Sequence, residues 1–320
     1  MLARYLIFGG AGFIGSHLAR SLAQRGHSVD VADIAERPKF STDSVVYHHC
    51  DVRDPIDVAM CDCPDVVVNL AAVHRTPGHP DHEYHATNVP GARNVTDYCE
   101  RVGCTEIWFT SSISVYGPSE EPLTESAELR HETAYGASKA EAERIHRAWQ
   151  AQSGGRRLII VRPAVIFGRG EGGNFARMAH LVSRGFFIYP GRRDTIKGCG
   201  YVEELITSLE FMSRQPDALV TYNFAYPTPY TIANIVKTVS EATHRQVHEF
   251  TIPMVAMLAA AIPFEILNRL GVRNAIHRDR VRKLTKSTYV VPKELISREY
   301  AFETDLSSGV ERWLADESMS

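Results

Sequence analysis

A tyrosine and a lysine lie four positions apart in the segment 134–139, which reads AYGASK. On a helix this spacing places both side chains on one face, one turn from each other. A free phenol has a pKa near ~10, so it keeps its proton at neutral pH. We expect the ammonium group of Lys139 to lower the pKa of Tyr135 and to make its phenol a usable acid and base. The pair predicts an acid–base group, which together with a dinucleotide site would predict redox chemistry at a carbinol carbon.

Three glycines near the N-terminus predict a dinucleotide site. Gly9, Gly12 and Gly15 form a G-x-x-G-x-x-G pattern directly after the apolar run Arg4–Phe8 and at the start of a helical pattern. Such a turn lets backbone N–H groups at a helix N-terminus approach a pyrophosphate. Asp33 ends the next apolar run, 18 residues after Gly15. A carboxylate there accepts hydrogen bonds from ribose hydroxyls and repels a 2′-phosphate, which favours NAD over NADP.

Apolar runs alternate with helical patterns through the first half of the chain. This alternation predicts an α/β fold with a doubly wound parallel sheet that helices cover on both faces. We expect an NAD-binding domain over residues 1–164, with a return segment near 201–227, and a smaller, mostly helical substrate lobe from 165–200 and 228–320. The predicted strands are Arg4–Phe8, Ser28–Ala32, Val45–Cys50, Val66–Leu70, Glu106–Thr110, Leu158–Val161 and Thr221–Ala225, and the predicted helices are Ile14–Gln24, Ile56–Ala59, Asn88–Val102 and Gly136–Gln152.

The carboxyl ends of the predicted strands carry further candidate cofactor contacts, because ligands of open α/β sheets bind at that edge. Asp51 and Val52 end the third strand, where they can meet the adenine. Asn88 is expected to open the helix that follows the fourth strand. The remaining candidates for contact with the cofactor are Phe13, Ile14, Leu70, Ala71, Ala72 and Pro163.

The composition is that of a soluble globular protein and excludes several classes of partner. Hydrophobic residues make up 44% of the 320 positions and charged residues 23%, and the formal net charge is -3. This balance provides no basic surface of the kind that nucleic acids require. The six cysteines show no zinc-ribbon spacing, and no signal peptide precedes the strand Arg4–Phe8. We therefore expect no nucleic-acid partner, no metal, reduced thiols and a cytoplasmic location.

Four histidines occur close together at His74, His79, His82 and His85. Prolines and a glycine interrupt this stretch, and its spacing matches no zinc-hydrolase pattern. We predict a solvated loop near the mouth of the site rather than a metal centre.

One stretch, Ile252–Leu267, is almost entirely apolar and is interrupted by Pro263 and Glu265. It is too short and too interrupted to span a membrane. Two interpretations stay open. The favoured one is a buried helix pair of the second lobe. The other is a segment lying on a membrane surface, aided by the arginines and lysine that follow it between 269 and 283.

Eight features form a joint pattern: GGAGFIG at 9–15, Asp33, Asp51-Val52, NLAA at 69–72, Asn88, TSSISVYG at 110–117, YGASK at 135–139 and Arg162-Pro163. This pattern resembles that of the extended short-chain dehydrogenase/reductase family, which includes the nucleotide-sugar epimerases and dehydratases. The resemblance covers nearly the whole chain and implies a Rossmann-type fold with NAD. It also implies Tyr135 as catalytic base, Lys139 as its partner and a contact of the nicotinamide ribose, and Ser112 as the hydrogen-bond partner of the substrate 4-oxygen.

The residues after Ser112 separate the subgroups of this family. Its 4,6-dehydratases carry an Asp-Glu pair there, whereas this chain has Ile113 and Ser114, which resembles the 4-epimerases. The passages NLAAVHR, RPAVIFGRGEGGNFARM and RVRKLTKST resemble the O-antigen-cluster epimerases that act on N-acetylglucosamine carriers. We therefore expect an NAD-dependent 4-epimerase of a nucleotide-diphosphate sugar, working through a 4-keto intermediate. The alternatives are a 4-keto-sugar reductase or dehydrogenase, an epimerase of a polyprenyl-pyrophosphate-linked N-acetylhexosamine, and a non-catalytic NAD-binding regulator, which the intact Ser112, Tyr135 and Lys139 disfavour.

The expected diphosphate pocket departs from the family pattern. UDP-galactose 4-epimerases usually have an asparagine three positions after the arginine at 162, where this chain has Val165, and the usual Arg-Asp reads Lys197-Gly198. These departures put the UDP-galactose/UDP-glucose pair in doubt. The family also implies a homodimer formed through the helices Asn88–Val102 and Gly136–Gln152. The candidate substrate contacts are Ser112, Ser114, Asn174, Arg280 and Arg282.

Overall fold

The computed structural model describes residues 2–35, 44–74, 79–260 and 285–318. The strands are β1 (Arg4–Phe8), β2 (Ser28–Asp33), β3 (Val45–His49), β4 (Val66–Asn69), β5 (Glu106–Thr110), β6 (Ser119–Leu123), β7 (Arg157–Pro163), β8 (Val165–Phe167), β9 (Phe186–Pro190), β10 (Cys199–Tyr201), β11 (Leu219–Phe224), β12 (His248–Ile252) and β13 (Thr288–Val290). The α-helices are α1 (Phe13–Gln24), α2 (Asp81–Val102), α3 (Ala134–Ala151), α4 (Asn174–Ser183), α5 (Val202–Ser213), α6 (Ile232–Ala242), α7 (Lys293–Ser297) and α8 (Leu306–Ser318).

A seven-stranded parallel sheet forms the centre of the molecule, in the order β11-β7-β5-β4-β1-β2-β3. Its central strands are rich in valine and isoleucine and are buried on both faces, as parallel sheets require. Leu6, Ile107 and Leu158 pack toward the side that α2 and α3 cover, while Ile7 and Ile159 pack toward the opposite side. The predicted doubly wound α/β fold and the seven predicted strands are therefore confirmed.

The strand order reverses between β1 and β4, and this switch point is where ligands of such sheets bind. Gly9 follows β1 directly, at a φ of +76°. A Cβ atom at Gly9 would lie 2.6 Å from the backbone nitrogen of Ala71, which follows β4. Only glycine permits this close approach of the two strand ends.

Two helix predictions need correction. Helix α2 begins at Asp81, seven residues before the predicted start at Asn88, so His82 and His85 lie on a helix and not in a loop. Asp81 and Glu83 stabilise this first turn because carboxylates interact favourably with the N-terminal end of the helix dipole. The predicted helix Ile56–Ala59 is a single 3₁₀ turn, Val58–Met60.

Among the described residues outside the large sheet there are three two-stranded parallel sheets, β8–β10, β9–β12 and β6–β13, together with α4, α6, α7 and α8. Phe167, Phe175, Tyr201 and Trp313 form an aromatic cluster that joins α4 and α8 to this region. The small sheets are absent from the sequence prediction because an isolated strand pair need not be a buried apolar run; β12, for example, buries none of its side chains.

Residues 254–260 are helical, and none of residues 252–260 is buried. This exposure does not agree with a buried helix pair in the first part of the apolar stretch. The rest of that stretch, the basic residues after it, Arg280 and Arg282 lie outside the described residues. Within the described ranges, no helix is long and apolar enough to cross a membrane.

Candidate active site

The first turn of α3 lies directly against the segment that follows β5. Thr133 caps α3, its hydroxyl oxygen accepting a hydrogen bond from the backbone N–H of Gly136 at 3.0 Å. A Cβ atom at Gly136 would lie 2.3 Å from the carbonyl oxygen of Ser114, so only glycine lets the two segments meet. This contact brings Tyr135 beside Ser112.

Tyr135 hydrogen-bonds the side chain of Ser112, and its ring lies 5.9 Å from that of Tyr84. Burial raises the pKa of Tyr135 to about 12, while the hydrogen bond with Ser112 acts to lower it. The sequence-based prediction of a lowered pKa for Tyr135 is therefore wrong for the protein without its cofactor. The free energy needed to bury the phenolate away from water is larger than the stabilisation that the hydrogen bond with Ser112 provides.

Lys139 lies one turn further along α3 and is buried. Its Nζ donates a hydrogen bond to the carbonyl oxygen of Thr110 at 2.8 Å and lies 4.9 Å from the centre of the Phe109 ring. Burial lowers the pKa of Lys139 to about 7, although the carboxylate of Glu143 acts to raise it. At neutral pH the phenol is thus protonated, and the lysine is close to the midpoint of its titration.

Next to Tyr135 and Lys139 lies a buried ion pair, Glu143–Arg162, which the sequence analysis did not predict. Glu143, one turn after Lys139, accepts hydrogen bonds from Arg162 at 2.8 Å from Nε and 2.6 Å from Nη2. It also accepts a hydrogen bond from the Ser111 hydroxyl at 2.6 Å. Arg162 donates a further hydrogen bond to the Tyr116 hydroxyl at 2.6 Å. The pair ties α3 to β7 and to the serines after β5, so it fixes the geometry of Ser112 and Tyr135.

The glycine turn has the features of a pyrophosphate cradle. Gly12 precedes α1, and within the described part of the chain no side chain caps this helix. The first-turn N–H groups, which include those of Phe13 and Ile14, therefore remain available to an anion, and Gly15 lies in the same turn. Asp33 accepts hydrogen bonds from the backbone N–H groups of Ala11 and Ala35, each at 3.0 Å. Asp33 thus shapes the glycine turn from the carboxyl end of β2.

Other predicted cofactor contacts have structural partners. Asn88 lies inside α2 and does not open it. Its Oδ1 accepts a hydrogen bond from the backbone N–H of Val73 at 2.9 Å, and its Nδ2 donates to the Val73 carbonyl oxygen at 3.1 Å and to the Ser138 hydroxyl at 2.9 Å. Arg53 hydrogen-bonds the carboxylate of Asp51 and lowers its pKa. Val52 is buried beneath α2. Leu70, Ala71 and Ala72 follow β4 at the switch point, and Pro163 ends β7 beside Phe224.

The predicted substrate contacts are only partly brought together. Ser114 accepts a hydrogen bond from the Ser112 hydroxyl at 3.2 Å, so these two serines act as one polar group. Asn174 is exposed at the start of α4, where it accepts from Arg177 at 3.2 Å. Glu171, which the sequence prediction did not single out, accepts from the Ala176 N–H at 2.8 Å in the first turn of α4. Burial lowers the pKa of Lys197 to about 8.

Comparison with known proteins agrees with this geometry. Residues 5–251 match the NAD dependent epimerase/dehydratase family. An N-acetyl-alpha-D-glucosaminyl-diphospho-ditrans,octacis-undecaprenol 4-epimerase from Escherichia coli O157:H7 is 28% identical over 318 residues, covering 97% of this chain and 93% of that protein.

Two solved structures share the fold. A UDP-N-acetylglucosamine 4-epimerase from Methanobrevibacter ruminantium M1, in complex with UDP-N-acetylmuramic acid, superimposes with a TM-score of 0.80 at 17% identity and covers 100% of this chain and 99% of its own. A UDP-glucose 4-epimerase from Thermus thermophilus, in complex with NAD, gives a TM-score of 0.76 at 20% identity, with 98% of both chains covered.

Proposed function

The chain belongs to the NAD-dependent epimerase/dehydratase family, and from that premise we propose that it inverts carbon 4 of a hexose or N-acetylhexosamine carried on a diphosphate. The observation that carries this proposal is the joint arrangement of Ser112, Tyr135 and Lys139. A second feature restricts the reaction: the two positions after Ser112 hold a buried isoleucine and a serine. Neither can protonate a leaving hydroxyl, so the site lacks the acid–base pair that elimination of water needs.

Ser112, Tyr135 and Lys139 have separate roles in the proposed removal and return of the 4-hydroxyl proton. Ser112 holds the substrate 4-oxygen, and Tyr135 takes its proton as carbon 4 is oxidised. NAD, when bound, supplies a hydride acceptor and a positive charge, which favours the phenolate form of Tyr135. Lys139 would hold the nicotinamide ribose. Once the 4-keto sugar has turned over, Tyr135 would return the proton to the 4-oxygen, while the bound cofactor would supply the hydride for the other face of carbon 4.

The glycine turn and Asp33 supply the proposed NAD site. An uncapped helix N-terminus attracts the pyrophosphate, and the carboxylate of Asp33 selects a ribose without a 2′-phosphate. The proposal includes the division into an NAD-binding domain, 1–164 with 201–227, and a substrate lobe, 165–200 with 228–320. Asn174 belongs to that lobe and is the described candidate for contact with the substrate diphosphate. Lys197 stands where the family usually has an arginine, and its Nζ donates a hydrogen bond to the carbonyl oxygen of Lys286 at 2.7 Å.

The diphosphate that carries the sugar is either a nucleotide diphosphate or a polyprenyl diphosphate. A nucleotide diphosphate is the first, because UDP-sugar epimerases recur among the relatives and structural neighbours. A polyprenyl diphosphate is the second, because the relative from Escherichia coli O157:H7, which covers 97% of the chain, is named for such a substrate.

Product analysis tests the reaction and the carrier together. The NAD-loaded protein would be incubated with UDP-GlcNAc, UDP-Glc, UDP-GlcA and a polyprenyl-diphosphate N-acetylglucosamine, and the sugars analysed by NMR. We expect one of them to approach equilibrium with its 4-epimer. Tyr135→Phe protein is the matched control and should leave all four unchanged. Formation of a keto or deoxy sugar, with no epimer from any carrier, would contradict the proposal.

The quaternary state and location form part of the same proposal. We propose a homodimer in which α2 and α3 pack against their copies. A groove between these helices supports this arrangement; it is lined by His85, Val89, Pro90, His131, Ala137, Ala140, Glu141 and Arg144. All six cysteines are free thiols, which supports a reducing, cytoplasmic compartment. Light scattering after size exclusion should give twice the monomer mass.

A further inference from the structure

The two-stranded sheet β9–β12 has one apolar face that the fold leaves exposed. Side chains alternate along β9, so Phe187 and Tyr189 are buried while Phe186 and Ile188 are 39% and 42% exposed. Ile188 pairs with Phe250 of β12, and register partners in a parallel sheet point to the same side. Phe250 is 59% exposed. Phe186, Ile188 and Phe250 thus form one continuous surface, which we call the apolar face.

The chain continues the apolar face beyond β12. Residues 254–260 form a helical segment that follows the strand at once, and its Val255 is 78% exposed. Monomeric proteins seldom expose contiguous large apolar side chains unless the surface has a partner. In the sequence after these residues, the rest of the stretch up to Leu267 is apolar except for Glu265, and a run rich in arginine follows it.

Two cationic side chains lie near one end of the apolar face along the chain, Arg184 two residues before Phe186 and Arg245 five residues before Phe250. Arg184 and Arg245 are exposed at the end of the sheet where the carbonyl oxygen of Gly185 accepts a hydrogen bond from the N–H of His248 at 2.8 Å. The carboxylate of β12, Glu249, points to the opposite side and pairs with Arg193 at 2.7 Å. An apolar surface with cationic side chains near it has the chemistry of proteins that rest on anionic lipid bilayers.

We propose that the apolar face docks on the surface of an anionic lipid bilayer. A second copy of the chain fits less well, because a two-fold contact would bring Arg184 and Arg245 near their own copies. Docking requires no reaction at the active site. Its use for catalysis rests on the proposed function, because a docked molecule would hold its substrate lobe next to a sugar diphosphate whose polyprenyl chain lies in the membrane.

Vesicle co-sedimentation of the full NAD-loaded chain tests the docking. We expect wild-type protein to pellet with vesicles of phosphatidylglycerol and phosphatidylcholine and to stay in solution with phosphatidylcholine alone. The double variant Ile188→Glu/Phe250→Glu should bind the anionic vesicles at least tenfold more weakly. Both side chains are exposed, so its stability should change little. Val46→Glu is the matched control, because Val46 is 55% exposed on β3 of the large sheet, and it should bind as wild type does.

Three results would overturn the proposal. They are wild-type protein that stays in solution with anionic vesicles, a double variant that pellets as wild type does, and self-association without lipid that the double variant abolishes. Epimerase activity on a water-soluble UDP-sugar, measured in parallel, keeps the two proposals separate. If docking fails while that activity persists, only the docking is wrong. If every sugar is left unchanged while vesicles bind, the proposed function is wrong.

Discussion

Helix α3 and the β9–β12 sheet present opposite combinations of polarity and burial. On α3 the ionisable side chains Lys139, Glu143 and His146 are buried, whereas on the sheet the apolar side chains Ile188 and Phe250 face solvent. Each of these three buried side chains has a hydrogen-bond partner, and burial lowers the pKa values of Lys139 and His146. Substitutions of the buried side chains of α3 should therefore change both the free energy of unfolding and the enzyme activity. Substitutions on the exposed face of the β9–β12 sheet should change neither.

The largest effect is expected at Tyr135. The change Tyr135→Phe keeps the ring packed against Tyr84 but removes the ionisable oxygen, so kcat/KM should fall at least about a thousandfold, about 4 kcal/mol in the barrier. The affinity for NAD, measured by calorimetry, should stay close to that of wild type. Retention of more than about a tenth of kcat/KM would remove Tyr135 from its proposed role.

The buried ion pair tests how far α3 depends on its partners. Glu143→Leu or Arg162→Leu should each lower the free energy of unfolding by about 3–5 kcal/mol, because each leaves one buried charge uncompensated. The double variant should lose less than the sum of the two. Urea unfolding of the four proteins gives the coupling energy, and strictly additive losses would show that the pair is not a unit.

Because His146 is buried, the stability of the folded protein should depend on pH. Its ring stacks on Phe109 and its Nε2 accepts a hydrogen bond from Asn69 at 3.3 Å; burial lowers its pKa to about 4. The unfolded chain takes up a proton near pH 6.5 while the folded protein does not, so stability is lost as the pH falls from 6.5 to 4. The loss attributable to this group is about 3 kcal/mol.

The variant His146→Phe isolates that contribution. It should be less stable than wild type near pH 7, because the Asn69 amide loses its partner, but its stability should fall less steeply between pH 6.5 and 4, so the two proteins should approach each other at acid pH. Thermal or urea unfolding across this range provides the slopes. Parallel slopes for variant and wild type would assign the acid sensitivity to other groups.

The smallest effect is expected at Asp33, a half-buried group of the glycine turn. Asp33→Asn removes the charge that faces a 2′-phosphate, so the preference for NAD over NADP should narrow by about tenfold, or about 1.4 kcal/mol. Calorimetric titration with both cofactors measures the ratio. Wild-type protein that bound NADP as tightly as NAD would be incompatible with this role.

The sequence predicts the large sheet well because each strand is a buried apolar run that ends in a recognisable turn. It predicts the small sheets poorly, since β9 buries only alternate side chains and β12 buries none, so burial does not mark these strands as it marks those of the large sheet. At the site, spacing identifies Tyr135 and Lys139 as neighbours, but burial decides their pKa values. Glu143 also escapes notice, because an acid one turn after a lysine is typical of a solvated helix surface.

In the proposed reaction, carbon 4 loses its hydrogen as hydride and receives it back on the other face. Isotope labelling follows that hydrogen directly: an accepted diphospho-sugar substrate would carry deuterium at C4, with NMR and nicotinamide absorbance recorded in parallel. We expect the 4-epimer to keep its deuterium and no reduced nicotinamide to accumulate. Loss of the deuterium to solvent, or reduced nicotinamide formed in proportion to a keto sugar, would show that the enzyme does not work in this way.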